Sequence, residues 1–163
     1  MDTATVGTRR LWLVPRSPEA ALAQVEQMPS DQRAEVSPVW LARVKSGNAD
    51  VWTLGFSMVD RATGHAVGSC GFKDAPDADG MVEIAYGVAA ERQNQGLATE
   101  AAEALVEFAF GTGRVRVVRA HTSESANNSA RVLVKCGFVA RGRVVEPEDG
   151  LVWRWEKPAG NIT

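Results

Sequence analysis

Apolar and polar positions along this chain follow two rhythms, and the switches between them mark out its elements. Arg9 to Val14 reads as a short strand, closed by Pro15. Ala21, Leu22, Val25 and Met28 then recur on one helical face. Ser17 serves that helix as N-cap, Pro18 sits in its first turn, and Pro29 stops it. Ser37-Pro38 repeats the signal, and Trp40, Leu41 and Val44 carry a second helix to Gly47. The polar stretch from Pro29 to Val36 between them is expected to be a loop. From Ala49 the period becomes two. Val51 to Val59 and Ala66 to Phe72 are predicted strands, joined into a hairpin by Ala62-Thr63-Gly64-His65. Asp74 to Gly80 is a loop by composition. Met81 to Val88 is a central strand. Leu97, Ala101, Leu105 and Phe108 then define a helix from Gly96 to Phe110, with Glu100, Glu103 and Glu107 on another face. Val115 to His121 is a buried strand. Asn127 to Cys136 is a short helix with Gly137 as its left-handed cap. Phe138 to Val145 and Leu151 to Lys157 form a last hairpin across Pro147-Glu148-Asp149-Gly150.

This order predicts an α/β fold, a single-domain mixed sheet with helices on its faces. A parallel crossover from Met81–Val88 through the long helix to Val115–His121 places the helix N-terminus beside the carboxyl end of the strand, where open sheets bind ligands. The turn between, within Glu91-Arg-Gln-Asn-Gln-Gly-Leu-Ala-Thr-Glu-Ala101, is small and polar, with its glycine at the helix start. Several N–H groups converge at such a turn and the helix dipole favours negative charge, so it reads as a phosphate cradle.

Composition narrows what the cradle serves. The 163 residues suit one domain, expected over 8–157 with tails at 1–7 and 158–163. A formal net charge of -2 predicts no nucleic-acid or membrane partner. Arg114, Arg116 and Arg119 decorate the solvated side of a strand. Cys70 and Cys136 form neither a Cys-x-x-Cys pair nor a metal cluster, and read as buried thiols of a cytoplasmic protein. No metal is expected. The aspartates of 74–80 lack the glycine and distal glutamate of a calcium loop.

Gln93-x-x-Gly96-x-Ala98, after a strand and opening a helix, resembles the acyl-CoA motif of the GNAT superfamily of N-acyltransferases. Ser129-Ala-Arg-Val-Leu-Val-Lys-Cys-Gly-Phe138 resembles its second signature, and Glu83-Ile-Ala-Tyr-Gly-Val88 its strand before the pyrophosphate loop. The Ser-x-Arg-Val-Leu helix start and Trp153-Arg154-Trp155 resemble the branch of ribosomal-protein N-terminal alanine/serine acetyltransferases. The resemblance implies a mostly antiparallel sheet whose central parallel pair splays apart. The pantetheine arm of acetyl-CoA would pair near Val88 and Ala90. Its pyrophosphate would sit on Gln93, Asn94, Gln95, Gly96, Leu97, Ala98 and Thr99, with Asn127, Asn128 and Ser129 closing the site. Two positions depart from the pattern. The family asparagine before the second signature is Ala126 here, with Asn127 and Asn128 just after it. A tyrosine common in the superfamily, four residues before the motif glycine, is Leu133.

Acetyl transfer needs a neutral amine. An α-amino group titrates at roughly 7.7–8.0 and a lysine near 10.4, so an N-terminal acceptor asks only for a modest base. Glu83 is the candidate base, since it shares a strand face with Ala85 and Gly87, where small side chains leave room for substrate. Asp60 and Glu124 are weaker alternatives. Ser129 is the candidate hydrogen-bond donor to the departing sulfur, standing in for tyrosine; a plain helix-start serine is the competing reading. His121 ends a strand and either faces the cleft or is satisfied by backbone. Trp40 is expected over the acceptor side.

The sequence thus points to an acetyl-CoA-dependent N-acetyltransferase, without metal, working by direct transfer in a ternary complex. The acceptor is a primary amine, a protein N-terminus or a small molecule such as a polyamine, an aminoglycoside or an amino acid. A non-catalytic acyl-CoA-binding module is the alternative of another class. The chain is expected to be a monomer or a homodimer.

Overall fold

A computed structural model describes residues 5–47, 49–125, 127–147 and 150–160. In chain order its elements are β1 (Val6–Gly7), β2 (Leu11–Pro15), α1 (Pro18–Glu26), α2 (Ser30–Arg33), α3 (Pro38–Lys45), α4 (Val51–Leu54), β3 (Phe56–Asp60), β4 (Ala66–Phe72) and β5 (Met81–Val88). After them come α5 (Leu97–Gly111), β6 (Val117–Ser123), α6 (Asn127–Lys135), β7 (Val139–Glu146) and β8 (Gly150–Pro158). The strands form one sheet in the order β1-β2-β3-β4-β5-β6-β8-β7. Every neighbouring pair is antiparallel except β5 and β6.

That parallel pair positions the site. Its register covers only Met81↔Val117, Val82↔Val118 and Glu83↔Arg119. Beyond it β5 stays with β4 as far as Val88, and β6 stays with β8 as far as Ser123. The two strands therefore part just after Glu83, and the sheet opens into a wedge.

The helix that roofs the wedge follows its sequence pattern. Leu97, Ala101, Leu105 and Ala109 of α5 are buried in one core with Leu11, Leu13, Phe56, Met58, Val82 and Ile84. Burial of each such leucine contributes about 1.5–3 kcal/mol. Phe108 closes the layer edge-on to Phe56 and Trp52, at centroid distances of 5.6 and 5.8 Å. A second, smaller cluster of Ala21, Val44 and Leu54 joins α1, α3 and α4.

Three expectations change. The strand predicted from Val51 starts only at Phe56. Asp50 accepts a hydrogen bond from Trp52 N at 3.1 Å and starts a helical turn instead. Gly55 (φ 67°) then redirects the chain, and a Cβ there would lie 2.6 Å from Cys70 O. A local cap thus overrides the two-residue period. Within the expected loop at 29–36, Ser30–Arg33 forms one helical turn. Val6–Gly7, in the expected N-terminal tail, pairs with β2 at the sheet edge. The N-caps at Ser17 and Ser37 are as predicted, and Gly137 has φ 87°.

Candidate active site

On one side of the wedge lies a cavity of about 510 Å³ between the β5–α5 turn and α6. The turn is built for an anion. Gly96 is the N-cap of α5 with φ 83°, a conformation that suits glycine, and no side chain caps this helix. The first N–H groups of α5 therefore face the cavity end without a partner inside the helix. Asn94 also takes a positive φ, 62°. Gln93 turns back to donate from Nε2 to Val88 O at 3.0 Å, which fixes the turn against the end of β5. Val88, Gln93, Asn94, Gly96, Leu97, Ala98 and Thr99 line the cavity, as do Asn128 and Ser129. Ala90 and Gln95 do not; Ala90 opens a 3-10 turn, and Gln95 accepts from Arg92 Nε at 3.1 Å. Ala126 and the side chain of Asn127 lie outside the described residues. Sequence reasoning missed the cations of this cavity, Arg92, Arg131 and Lys135. The α6 pattern could have found two of them, since residues at 131 and 135 lie one turn apart on one helix face.

On the other side the sheet face is bare. Ser69 pairs with Gly87 and Gly71 with Ala85, so four small residues share one face. They floor a cavity of about 270 Å³ walled by Arg16, Trp40, Thr53 and Leu54. Arg16, Trp40, Ser69 and Phe72 also line a larger cavity of about 650 Å³ under α1 and α3. Tyr86 and Gly87 line the 270 Å³ cavity and the 510 Å³ one alike. The two sides thus meet where β5 leaves β6. Trp40, expected over the acceptor side, lines both the 270 Å³ cavity and the 650 Å³ one, and its indole N–H donates to Thr53 O at 3.0 Å.

Glu83 stands at the head of the small-residue row, with its side chain 16% exposed. Its Oε2 lies 3.0 Å from Lys73 Nζ and 2.9 Å from His121 Nδ1. The His121 ring is buried and its Nδ1 is not aligned for a hydrogen bond, despite that short distance. On the far side its Nε2 accepts from Arg154 Nε at 3.1 Å and lies 3.0 Å from Glu146 Oε1. His121 therefore meets side chains of β5, β7 and β8 rather than backbone. No local pattern announces this, because its partners come from distant strands. The other base candidates are engaged elsewhere. Asp60 pairs with Arg92 at 2.8 Å, and Glu124 with Arg143 at 2.9 Å. Arg119 pairs with Glu156 at 2.7 Å, and Arg114 lies over the Trp52 ring.

Ser129 sits in the first turns of α6, and its carbonyl accepts from Tyr86 Oη at 3.4 Å. Burial pushes the Tyr86 hydroxyl up to about 12. Burial likewise raises the Cys70 thiol to about 12 and the Cys136 thiol to about 11. Cys70 lines the 270 Å³ cavity, but a thiol this basic is no nucleophile near neutral pH. Among the described residues no group of three or more His, Cys, Asp or Glu side chains could hold a metal. Nor is any helix long and apolar enough to cross a membrane.

A splayed parallel pair, an uncapped helix start beside it and a cavity on each flank are the arrangement that the resemblance to the GNAT superfamily implies. Residues 8–139 match the family model described as Acetyltransferase (GNAT) domain, and the chain belongs to that family. It is 24% identical over 107 residues to "Uncharacterized N-acetyltransferase p20" of Bacillus licheniformis, covering 66% of this chain and 56% of that protein. The chain thus spans little more than half the length of that curated relative. The ribosomal-protein-S5-alanine acetyltransferase of Vibrio fischeri superposes with a TM-score of 0.72 at 14% identity, covering 96% of this chain and 97% of that one. AAC(6')-Ib in complex with paromomycin and acetyl-CoA superposes with 0.66 at 19% identity, covering 91% and 93%. At these identities the structural likenesses establish the fold.

Proposed function

We propose that this protein is an acetyl-CoA-dependent N-acetyltransferase that acts on a primary amine, by direct transfer with donor and acceptor bound together. The observation that carries this reading is the meeting of two cavities at Tyr86 and Gly87, one at the α5 N-terminus and one over Ser69, Gly71, Ala85 and Gly87; Glu83 lies two residues before Ala85 on the same strand face, outside the cavity lining. Acetyl-CoA supplies a thioester whose carbonyl carbon accepts the amine and whose sulfur leaves. The residues fit such a donor. The α5 N-terminus, Arg92, Arg131 and Lys135 offer backbone N–H groups and positive charge to phosphates.

On the acceptor side Glu83 holds the incoming ammonium and takes its proton, directly or through water. Lys73 is ion-paired with that carboxylate, and the His121 ring packs beside it. Ser129, on the wall of the donor cavity, offers a hydroxyl toward the departing sulfur. An acyl-enzyme on cysteine is disfavoured, because both thiols are buried and their pKa values are raised. The same buried free thiols support a cytoplasmic setting.

The acceptor is a protein N-terminus or a small amine. Purified protein should release free thiol from acetyl-CoA with at least one member of a panel of peptide N-termini and small amines. Tight acetyl-CoA binding without turnover on any of them would replace this reading with a non-catalytic acyl-CoA-binding module.

A further inference from the structure

The acceptor-side cavities contain a charge that the protein leaves without a counter-charge. Three cations and a single aspartate line the larger one. Arg43 is paired with Asp74 at 2.6 Å, and Lys73 with Glu83 at 3.0 Å. Arg16 differs from both. Its Nη2 donates to the neutral amide oxygen of Gln24 at 2.6 Å, and its backbone N donates to Gly55 O at 3.0 Å. Among the described residues it has no ion pair with a carboxylate. The residue as a whole is half-buried, and burial pulls its pKa below the ordinary arginine value. Arginine stays charged regardless. The bond to Gln24 uses one of its five guanidinium N–H groups, and the others are available to a ligand in the cavities that Arg16 lines.

Arg16 lines both acceptor-side cavities, and the smaller one also contains Ala85 and Gly87 of β5. We propose that the acceptor carries an oxyanion, a carboxylate or a phosphate, close to its amine, and that the Arg16 guanidinium binds it. This rests on the N-acetyltransferase reading for the reaction, but the anion site stands on Arg16 alone. The planar fork of arginine matches both oxyanions. Ser69, on the same cavity wall, adds a hydroxyl. The smaller cavity, about 270 Å³, holds amine and anion only a few bonds apart. The class is therefore an amino acid, a phosphorylated amine, or a peptide end with an acidic side chain beside its N-terminus. A polycation such as a polyamine or an aminoglycoside would bring like charge against Arg16.

The test compares matched amines on the protein loaded with CoA or acetyl-CoA. The pairs are ornithine with putrescine, phosphoethanolamine with ethanolamine, and an Ala-Asp peptide with an Ala-Asn peptide. Calorimetry reads binding to the CoA complex, and thiol release reads turnover with acetyl-CoA. The wild-type protein should favour the anionic member of at least one pair by on the order of 10–100-fold. The favoured pair identifies the oxyanion as carboxylate, phosphate or acidic side chain. Arg16→Ala should abolish that preference and change binding of the neutral member by less than about threefold. Arg16→Lys should keep part of it, and unchanged acetyl-CoA affinity shows that both variants are folded. Equal binding of both members of every pair overturns the inference, as does an Arg16→Ala effect of the same size on both. Anion-selective binding without thiol release would leave the inference standing and remove the transferase reading.

Discussion

The two flanks of β5 are built on different principles. The proposed donor flank is made of backbone and of residues close in sequence. Gln93 to Thr99 is one turn and a helix start, and α6 supplies the opposite wall with Asn128, Ser129, Arg131 and Lys135. The proposed acceptor flank is made of side chains from α1, α3, α4, β4 and β5 and the residues flanking them. A pocket made of backbone needs only a glycine and a helix, so it survives wide sequence change. A pocket made of side chains from many elements can be altered one wall at a time. This contrast fits a family with a common donor and diverse acceptors, and it predicts that substitutions on the two flanks separate cleanly in kinetics.

The sharpest way to break that separation is Glu83→Gln. The substitution keeps size and removes only the charge and basicity. Turnover should fall by about 10²–10³-fold, within the range for loss of a general base, while acetyl-CoA affinity stays within twofold. The loss should be largest below about pH 7.7, where an α-amine is mostly protonated, and should shrink above it. A pH–rate profile parallel to that of the wild type would take Glu83 out of the role of base. A parallel loss of acetyl-CoA affinity would undo the division between flanks.

Gly96→Val attacks the other flank. A side chain there must adopt φ near 83° and would meet Arg10 Nη2 at 3.0 Å, at a strain of roughly 1–2 kcal/mol. It would also cover the uncapped N–H groups. Acetyl-CoA affinity should drop on the order of 10–100-fold by calorimetry, with the acceptor KM little changed. A variant with normal affinity would move the pyrophosphate away from this turn.

The same contrast explains what was legible in the sequence. The elements of the proposed donor flank are readable because their signals are local: a strand, a turn with Gly96, an amphipathic helix, and Ser129 to Phe138 in order. The β5–β6 pairing followed from the crossover rule. Val51–Leu54 departs from the expected strand because the Asp50 cap and Gly55 outweigh an alternation that spans only four residues. Arg16, Lys73 and His121 were not legible as a group. Each looks ordinary in its own segment, and only the sheet order β2-β3-β4-β5-β6 brings Arg16 and Lys73 to the cavity under α1 and α3 and sets His121 beside Glu83.

A smaller effect concerns how the donor flank is anchored. Glu100, in the first turn of α5, accepts from Thr8 Oγ1 at 2.6 Å, from Arg10 N at 3.0 Å and from Arg10 Nε at 2.8 Å. Burial works to raise its pKa, but these bonds outweigh it and hold the carboxyl below its ordinary 4.5. A lowered folded pKa adds stability above the unfolded value, and that stability is lost as pH falls through the folded value. Glu100→Gln should therefore lower Tm at pH 7 by about 1–3 °C, the size of a solvent-screened pair. The gap between variant and wild type should close as pH falls below about 4.5. A gap that persists at pH 3 would assign Glu100 a packing role with no ionic part.

The smallest predicted effect falls where the flanks meet. Ser129 contributes two groups with separable functions. Its carbonyl accepts from Tyr86 Oη and survives any substitution of the side chain. Its hydroxyl is the group proposed to meet the departing sulfur. A thiol of pKa roughly 8.5 leaves readily as thiolate, so a neutral donor adds little. Ser129→Ala should thus slow turnover by only about 3–10-fold, close to one neutral hydrogen bond, with acetyl-CoA affinity within twofold. Tyr86→Phe serves as the comparison, since it removes the hydrogen bond to that carbonyl and leaves the Ser129 hydroxyl in place. If Tyr86→Phe slows turnover more than Ser129→Ala does, the donor to the sulfur lies on β5 and not on α6. Turnover and acetyl-CoA affinity falling together in Ser129→Ala would make this serine part of the donor flank's structure, with no share in the chemistry.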